Sequence, residues 1–216
     1  MSNVQDIAQL IVDKLINKLM TNVNRECVYV TELSKCAYYI YWLYNKSPIE
    51  HRINNFIIEG TLMHFVIEKI VKKLIEEGAV SPEHVKSEID VEKEFNGITI
   101  KGRVDLIIND TIVEFKFTHN PRLIYGLPKV WHIAQVNLYM WMTGLRKGLI
   151  IYIHLPSLNV KMWKVSYDDE LVSNRLSKVN DVMIAKHGKE VEKEMFGCDI
   201  CPIYAQCRFA RIDMFS

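Results

Sequence analysis

Asp105, Glu114 and Lys116 are the residues whose types and spacing point most directly to chemistry. They lie in the run 102–116, where two apolar, β-branched stretches flank Asn109 and Asp110. That pattern predicts a β-hairpin closed by a two-residue turn. Pairing Ile108 with Thr111 and counting back sets Asp105 opposite Glu114, and strand alternation puts Lys116 on the face of Glu114. Like charges opposite each other on paired strands repel. A hard divalent cation such as Mg²⁺ or Mn²⁺ prefers oxygen ligands and removes that repulsion. It also acidifies a bound water and stabilises charge on a phosphate oxygen, while a nearby ammonium can orient the water. The competing reading is a solvated hairpin face with a Glu–Lys pair. Against it stand Val104, Leu106, Ile112, Val113, Phe115 and Phe117, which make both strands as apolar as those of a buried sheet. Charges embedded in such strands call for partners.

These residues resemble a known family. Asp105 followed by Glu114-Phe115-Lys116 resembles the Asp…(Asp/Glu)-x-Lys core of the PD-(D/E)XK nuclease superfamily. Upstream, Gly60 to His64 is similar to the Gly…His motif of its RecB-like branch, and downstream Gln135 to Tyr139 is similar to that branch's Gln-x-x-x-Tyr motif. The motifs stand in the family's order. The resemblance implies an α/β, restriction-endonuclease-like core with a mixed central sheet flanked by helices. It further implies that His64, Asp105 and Glu114 bind Mn²⁺ or Mg²⁺, with the backbone carbonyl of Phe115 completing the set. Lys116 would position the attacking water. Gln135 and Tyr139, four apart on one helix face, would contact the phosphate backbone or support the metal site; core packing is the other role open to Tyr139. Glu68 shares a helix face with His64 and is expected at the surface or behind the ligands.

The cysteines narrow the branch. Cys198, Cys201 and Cys207 cluster at metal-ligand spacing, and Pro202 follows the second as in some iron–sulfur runs. Cys36 is the natural fourth ligand; Cys27 reads as an inert, partly buried thiol and is the substitute if Cys36 is not a ligand. Spacing alone leaves zinc and iron–sulfur about even, because zinc accepts the same thiolates. Disulfides are disfavoured, since nothing marks secretion. One early cysteine and three late ones resemble the iron–sulfur nucleases of the RecB-like branch, either the CRISPR-associated exonuclease family or the nuclease domains of AddB-type recombination enzymes. A chain of 216 residues without a helicase region fits the first better. That resemblance favours a [4Fe–4S] over a [2Fe–2S] cluster, held by Cys36, Cys198, Cys201 and Cys207. The cluster would tie both chain ends into a helical cap. The implied activity is exonuclease action on single-stranded DNA or DNA ends, 5′ to 3′. The implied setting is CRISPR spacer acquisition beside the integrase complex of that system. Two other functions remain open: a non-catalytic DNA-end-binding module, and a nuclease subunit of a recombination or repair complex.

Composition fits this reading. With 49% hydrophobic and 25% charged residues the chain can fill a core and keep an ordinary polar surface. A single nuclease domain is expected over 1–216, its core at about 48–166, with 1–47 and 167–216 forming the cap. No apolar run reaches membrane-spanning length, and the first residues lack a basic n-region, so a cytoplasmic protein is expected. A net charge of +1 does not advertise nucleic-acid binding, which would need a local basic surface. Arg122, Lys129, Arg146 and Lys147 are the candidates.

The elements that must position these residues follow from periodicity. Residues 4–20 read as an amphipathic helix that could support a homo-oligomer, and Ser47-Pro48-Ile49-Glu50 reads as a helix start. The aromatic segment Tyr38 to Tyr44 suits core filling around Cys36 better than base stacking. A helix is expected from Gly60 to Gly78, then strands at 85–95, 98–108 and 111–117, a loop at 118–130 and a helix at 131–142. Strands at 148–155 and 160–165 and one long helix at 168–186 lead to the cysteine tail.

Overall fold

A computed structural model describes residues 6, 9, 10, 13, 27–45, 55–126, 128–189, 191 and 207. Three tight turns organise the middle of the chain. Asn96 and Gly97 both take positive φ, the geometry a two-residue hairpin turn demands, and join β2 (Val85–Phe95) to β3 (Ile98–Ile108). Asn109, also at positive φ, turns β3 into β4 (Thr111–Thr118). His154 to Asn159 closes β5 (Lys147–His154) onto β6 (Asn159–Ser166). The expected strand positions hold to within a residue or two.

Antiparallel pairing links β2 to β3, β3 to β4 and β5 to β6, whereas β4 and β5 are parallel. A parallel pair needs a crossover, supplied here by helix α5 (Val130–Thr143). That helix is apolar almost all round and buried from Ala134 through Met140, as a helix enclosed on several sides must be. Gly144 stops it at φ 80°, donating its N–H to the Met140 carbonyl. A short strand, β1 (Val28–Tyr29), pairs parallel with β3 at Ile100 and Lys101. It leads into helix α1 (Val30–Leu33) and then α2 (Ala37–Asn45).

The sheet has a core on each face. The larger contains Val28, Ile100, Val104, Ile112, Val136, Leu138, Ile150 and Tyr152 and is shared with α5 and both ends of the described chain. The smaller joins Leu106, Val113 and Ile151 to Val71 of helix α3 (Asn55–Glu76). Tyr38 and Ile40 of α2 are buried in the larger core, as expected for core filling. Early and late segments of the described chain meet where α2 packs on α7 (Val179–Lys186): Asn45 Nδ2 donates to the Ala185 carbonyl at 2.6 Å, and Lys186 Nζ donates to the Cys27 carbonyl.

Three expectations are corrected. The helix expected from Gly60 starts at Asn55, with Gly60 inside its run; its C-terminal stop is Gly78, at φ 70°. The loop at 118–130 contains a helical turn, α4 (Arg122–Tyr125). The single helix expected at 168–186 is two, α6 (Asp169–Ser177) and α7, broken at Lys178, whose N–H bonds back to Arg175 at i−3. The helix start at Ser47 and most of the helix at 4–20 lie outside the described residues, as do Cys198 and Cys201. Among the described residues, no helix is long and apolar enough to cross a membrane.

Candidate active site

The site sits where β3 and β4 part. Their ladder holds at Ile108–Thr111, Ile107–Ile112 and Leu106–Val113, the register the hairpin turn predicts. The next pair would be Asp105 and Glu114, but there the ladder ends. Instead, Asp105 Oδ2 accepts the Phe115 N–H at 2.8 Å. The carboxylate thus takes the place of a strand partner and satisfies a donor that opening the ladder would strand. Between the ladders to β1 and β4, residues 102–105 pair with no strand on this edge of β3 among the described residues.

The two faces of the sheet deliver different groups to this gap. Alternation in β4 sends Ile112 to the larger core and Val113 to the smaller one, so Glu114 and Lys116 follow Ile112 toward α5. Lys116 Nζ lies 2.7 Å from Glu114 Oε1 and donates to Gln135 Oε1 at 2.9 Å. Glu114 is only 2% exposed, and its Oε2 has no hydrogen-bond partner among the described residues. Gln135 Nε2 reaches the Tyr139 hydroxyl at 3.4 Å. Tyr139 is itself buried and packs on Gly102, where a Cβ would stand 2.6 Å from its Cε1 and 2.9 Å from Val30 Cγ2. Gly102 is therefore glycine for close approach, and Tyr139 takes the core role that the sequence left open.

From the opposite face α3 brings His64. Its Nδ1 is 3.3 Å from Asp105 Oδ1, and its ring meets the Phe117 ring edge-on with centroids 5.6 Å apart. Burial, and then the charge of Lys116, lower its pKa to about 4, which leaves a neutral imidazole with a lone pair at neutral pH. Asp105 is displaced the other way. Burial, and then the charge of Glu114, hold its carboxyl well above the usual range against the pull of Lys116 and the Phe115 N–H.

Ligand atoms of His64, Asp105 and Glu88 converge to within 4.8 Å of one another. Glu88 on β2 was missed by sequence reasoning, because 85–95 alternates charged and apolar residues like any half-exposed strand. The donor set of one neutral imidazole and carboxylate oxygens suits Mn²⁺ or Mg²⁺, and the buried Glu114 oxygen, partnerless among the described residues, fits the same ion.

The remaining candidates are placed as follows. Glu68 pairs with Lys72 one turn along α3. Arg146 stacks on Tyr167 at 3.9 Å, Lys147 pairs with Asp110 at 2.7 Å and Lys129 lies 5.2 Å from the Trp131 ring, so these bases are already engaged. Arg122 is exposed beside Tyr125, which is 80% exposed. Cys36 and Cys207 are half-buried free thiols that both pack against the larger core, and Cys27 is fully buried.

The split hairpin thus carries Asp105, Glu114 and Lys116 at one gap, with the crossover helix holding the lysine through Gln135. The PD-(D/E)XK nuclease superfamily model matches residues 60–208, and the chain belongs to that superfamily. It is 27% identical to the CRISPR-associated exonuclease Cas4 of Saccharolobus solfataricus over 159 residues, 68% of this chain and 73% of the relative. The solved structure of SSO0001 shares the fold, with a TM-score of 0.66 at 21% identity, covering 97% of this chain and 98% of its own. This chain is accordingly a Cas4-like PD-(D/E)XK nuclease.

Proposed function

We propose that this nuclease is a metal-dependent exonuclease that degrades single-stranded DNA or DNA ends from the 5′ side. The observation that carries the reading is the buried Asp105–Glu114 pair with Lys116 bonded between Glu114 and Gln135. Two carboxylates driven together in a nearly dry gap are costly to the fold, and hydrolysis of a phosphodiester is the chemistry that uses them. A divalent cation bound by His64, Asp105 and Glu114, with the Phe115 carbonyl, would supply Lewis acidity toward a phosphate oxygen and lower the pKa of a water.

The protein's own groups do the positioning. Asp105 is locked by the Phe115 N–H, which fixes where its free oxygen points. Lys116 is held by two acceptors, so its ammonium is oriented before substrate arrives and can align the attacking water and offset charge on the phosphate. Gln135 and Tyr139 act behind Lys116 as positioning residues rather than on the DNA, which suits their burial.

We assign an iron–sulfur cluster, [4Fe–4S] by resemblance, to Cys36, Cys198, Cys201 and Cys207. Supporting it, Cys36 and Cys207 are free thiols against one core although far apart in the chain. The cellular role proposed is preparation of DNA fragments for spacer acquisition beside a CRISPR integrase complex, supported by the likeness to Cas4.

The test uses brown, anaerobically purified protein with Mn²⁺ on 5′- and 3′-labelled single-stranded DNA. Release of label first from the 5′-labelled strand supports the stated polarity, and release first from the 3′-labelled strand overturns it. Cys201→Ala is expected to give colourless, poorly soluble protein. A soluble variant that stayed brown would remove that cysteine from the cluster.

A further inference from the structure

Glu88 sits at an irregularity shared by two strands. The β2–β3 register places it opposite Asp105, between the paired steps Ser87–Leu106 and Ile89–Val104, yet Glu88 and Asp105 are the one step in that run where no ladder pair forms. Glu88 has φ 51°, left-handed backbone for a residue with a Cβ, in the middle of a strand. Such a conformation costs roughly 1–2 kcal/mol.

Side-chain phase reverses at the same step in both strands. In β3, Ile98, Ile100 and Val104 face the larger core, but beyond Asp105 that face is taken by Ile107, while Leu106 faces the smaller core. In β2, Ile89, Val91 and Phe95 face the larger core, and beyond Glu88 the same parity reaches the smaller one at Val85. Two facing strands therefore change phase where each carries a carboxylate, and the carboxylates end up beside one imidazole. Arg103 meets the same strand from its exposed side. Its guanidinium pairs with Glu88 at 3.7 Å and with Asp90 more closely, at 2.8 Å. A second observation lies beside Asp105: Glu114 Oε2 is buried with no hydrogen-bond partner among the described residues, an oxygen able to join the same ion.

We infer that Glu88 is a ligand of the active-site divalent cation, joining, from β2, the set of His64, Asp105 and Glu114. Ligands about 2.1 Å from an octahedral ion stand about 3.0 Å apart when cis and about 4.2 Å apart when trans, so atoms within 4.8 Å of one another must draw in around the ion, a movement within reach of a glutamate side chain. This inference rests on the proposed metal-dependent reading of the site and adds a ligand to it.

The test is Mn²⁺ affinity of the cluster-loaded, full-length protein, measured by calorimetry and by the Mn²⁺ electron-paramagnetic-resonance signal without DNA. Glu88→Gln is expected to weaken binding about tenfold or more. Glu88→Asp keeps the charge but shortens the reach, and is expected to weaken it as well. Asp90→Asn, on the same strand and paired to Arg103, is the control and leaves affinity unchanged. His64→Ala and Asp105→Ala separate the two ideas. If both abolish tight binding while Glu88→Gln stays within twofold of wild type, Glu88 is not a ligand and the metal site stands without it. Wild-type affinity in Glu88→Asp has the same meaning, since charge alone then suffices. If His64→Ala and Asp105→Ala also bind normally, the metal reading itself fails. Melting temperatures in metal-free buffer establish that each variant is folded.

Discussion

Replacing Lys116 with alanine tests the electrostatics of the gap before any chemistry occurs. Its ammonium is the cation bonded to Glu114, at 2.7 Å, and its pull opposes the burial and repulsion acting on Asp105. Without it, a carboxylate that is 2% exposed is left charged beside a second one. Breaking a buried ion pair in this way typically costs about 3–5 kcal/mol. Protonation of Asp105, whose carboxyl is already held above its usual range by burial and by Glu114, limits that cost. Lys116→Ala should therefore destabilise the metal-free protein by about 3 kcal/mol at pH 7, lowering Tm by roughly 6–12 °C. The loss should shrink at pH 5.5, because Asp105 then takes up a proton and the repulsion is relieved. Urea unfolding of wild type and variant at both pH values measures it. A loss below about 1 kcal/mol at pH 7, or one that does not shrink on acidification, would refute the claim that Lys116 neutralises a buried carboxylate pair.

Further expectations follow from the same geometry. Gln135→Ala removes one of the two acceptors that orient Lys116; kcat should fall about tenfold or more with KM little changed, whereas a direct DNA contact would show in KM. Gly102→Ala puts a methyl 2.6 Å from the Tyr139 ring and should cost about 1–3 kcal/mol in urea unfolding, with Tyr139→Leu restoring part of the loss in the double variant. Asp105 has a folded pKa above its unfolded one, so its contribution to stability is full at low pH and lost as pH rises through the raised value. Mn²⁺ favours the ionised form; its gain in Tm should grow across that same window and then level off, and a gain independent of pH would contradict the shift.

Much of this was legible in the chain because local rules agree. Asn96-Gly97 and Asn109-Asp110 mark turns, and counting from the second gives the register as far as Leu106–Val113; the ladder expected to continue to Asp105 and Glu114 stops there instead. Motif order led to Gln135, which bonds Lys116. What was not legible depends on tertiary context. β1 is two residues long, too short for a periodic signal. The break at Lys178 has no proline or glycine to announce it, and follows from α7 turning to pack on α2. Glu88 was hidden because nothing in its type advertises positive φ, and the phase reversal appears only once two strands are aligned.

The central claim is that the split hairpin hydrolyses DNA with a divalent cation. Its most direct test is single-turnover cleavage of single-stranded DNA with and without Mn²⁺, comparing wild type, Asp105→Ala and Lys116→Ala, with DNA binding measured in parallel. The account predicts Mn²⁺-dependent cleavage by the wild type and cleavage lost in both variants while binding persists. Equal cleavage in all three proteins, or binding without cleavage in the wild type, would contradict it.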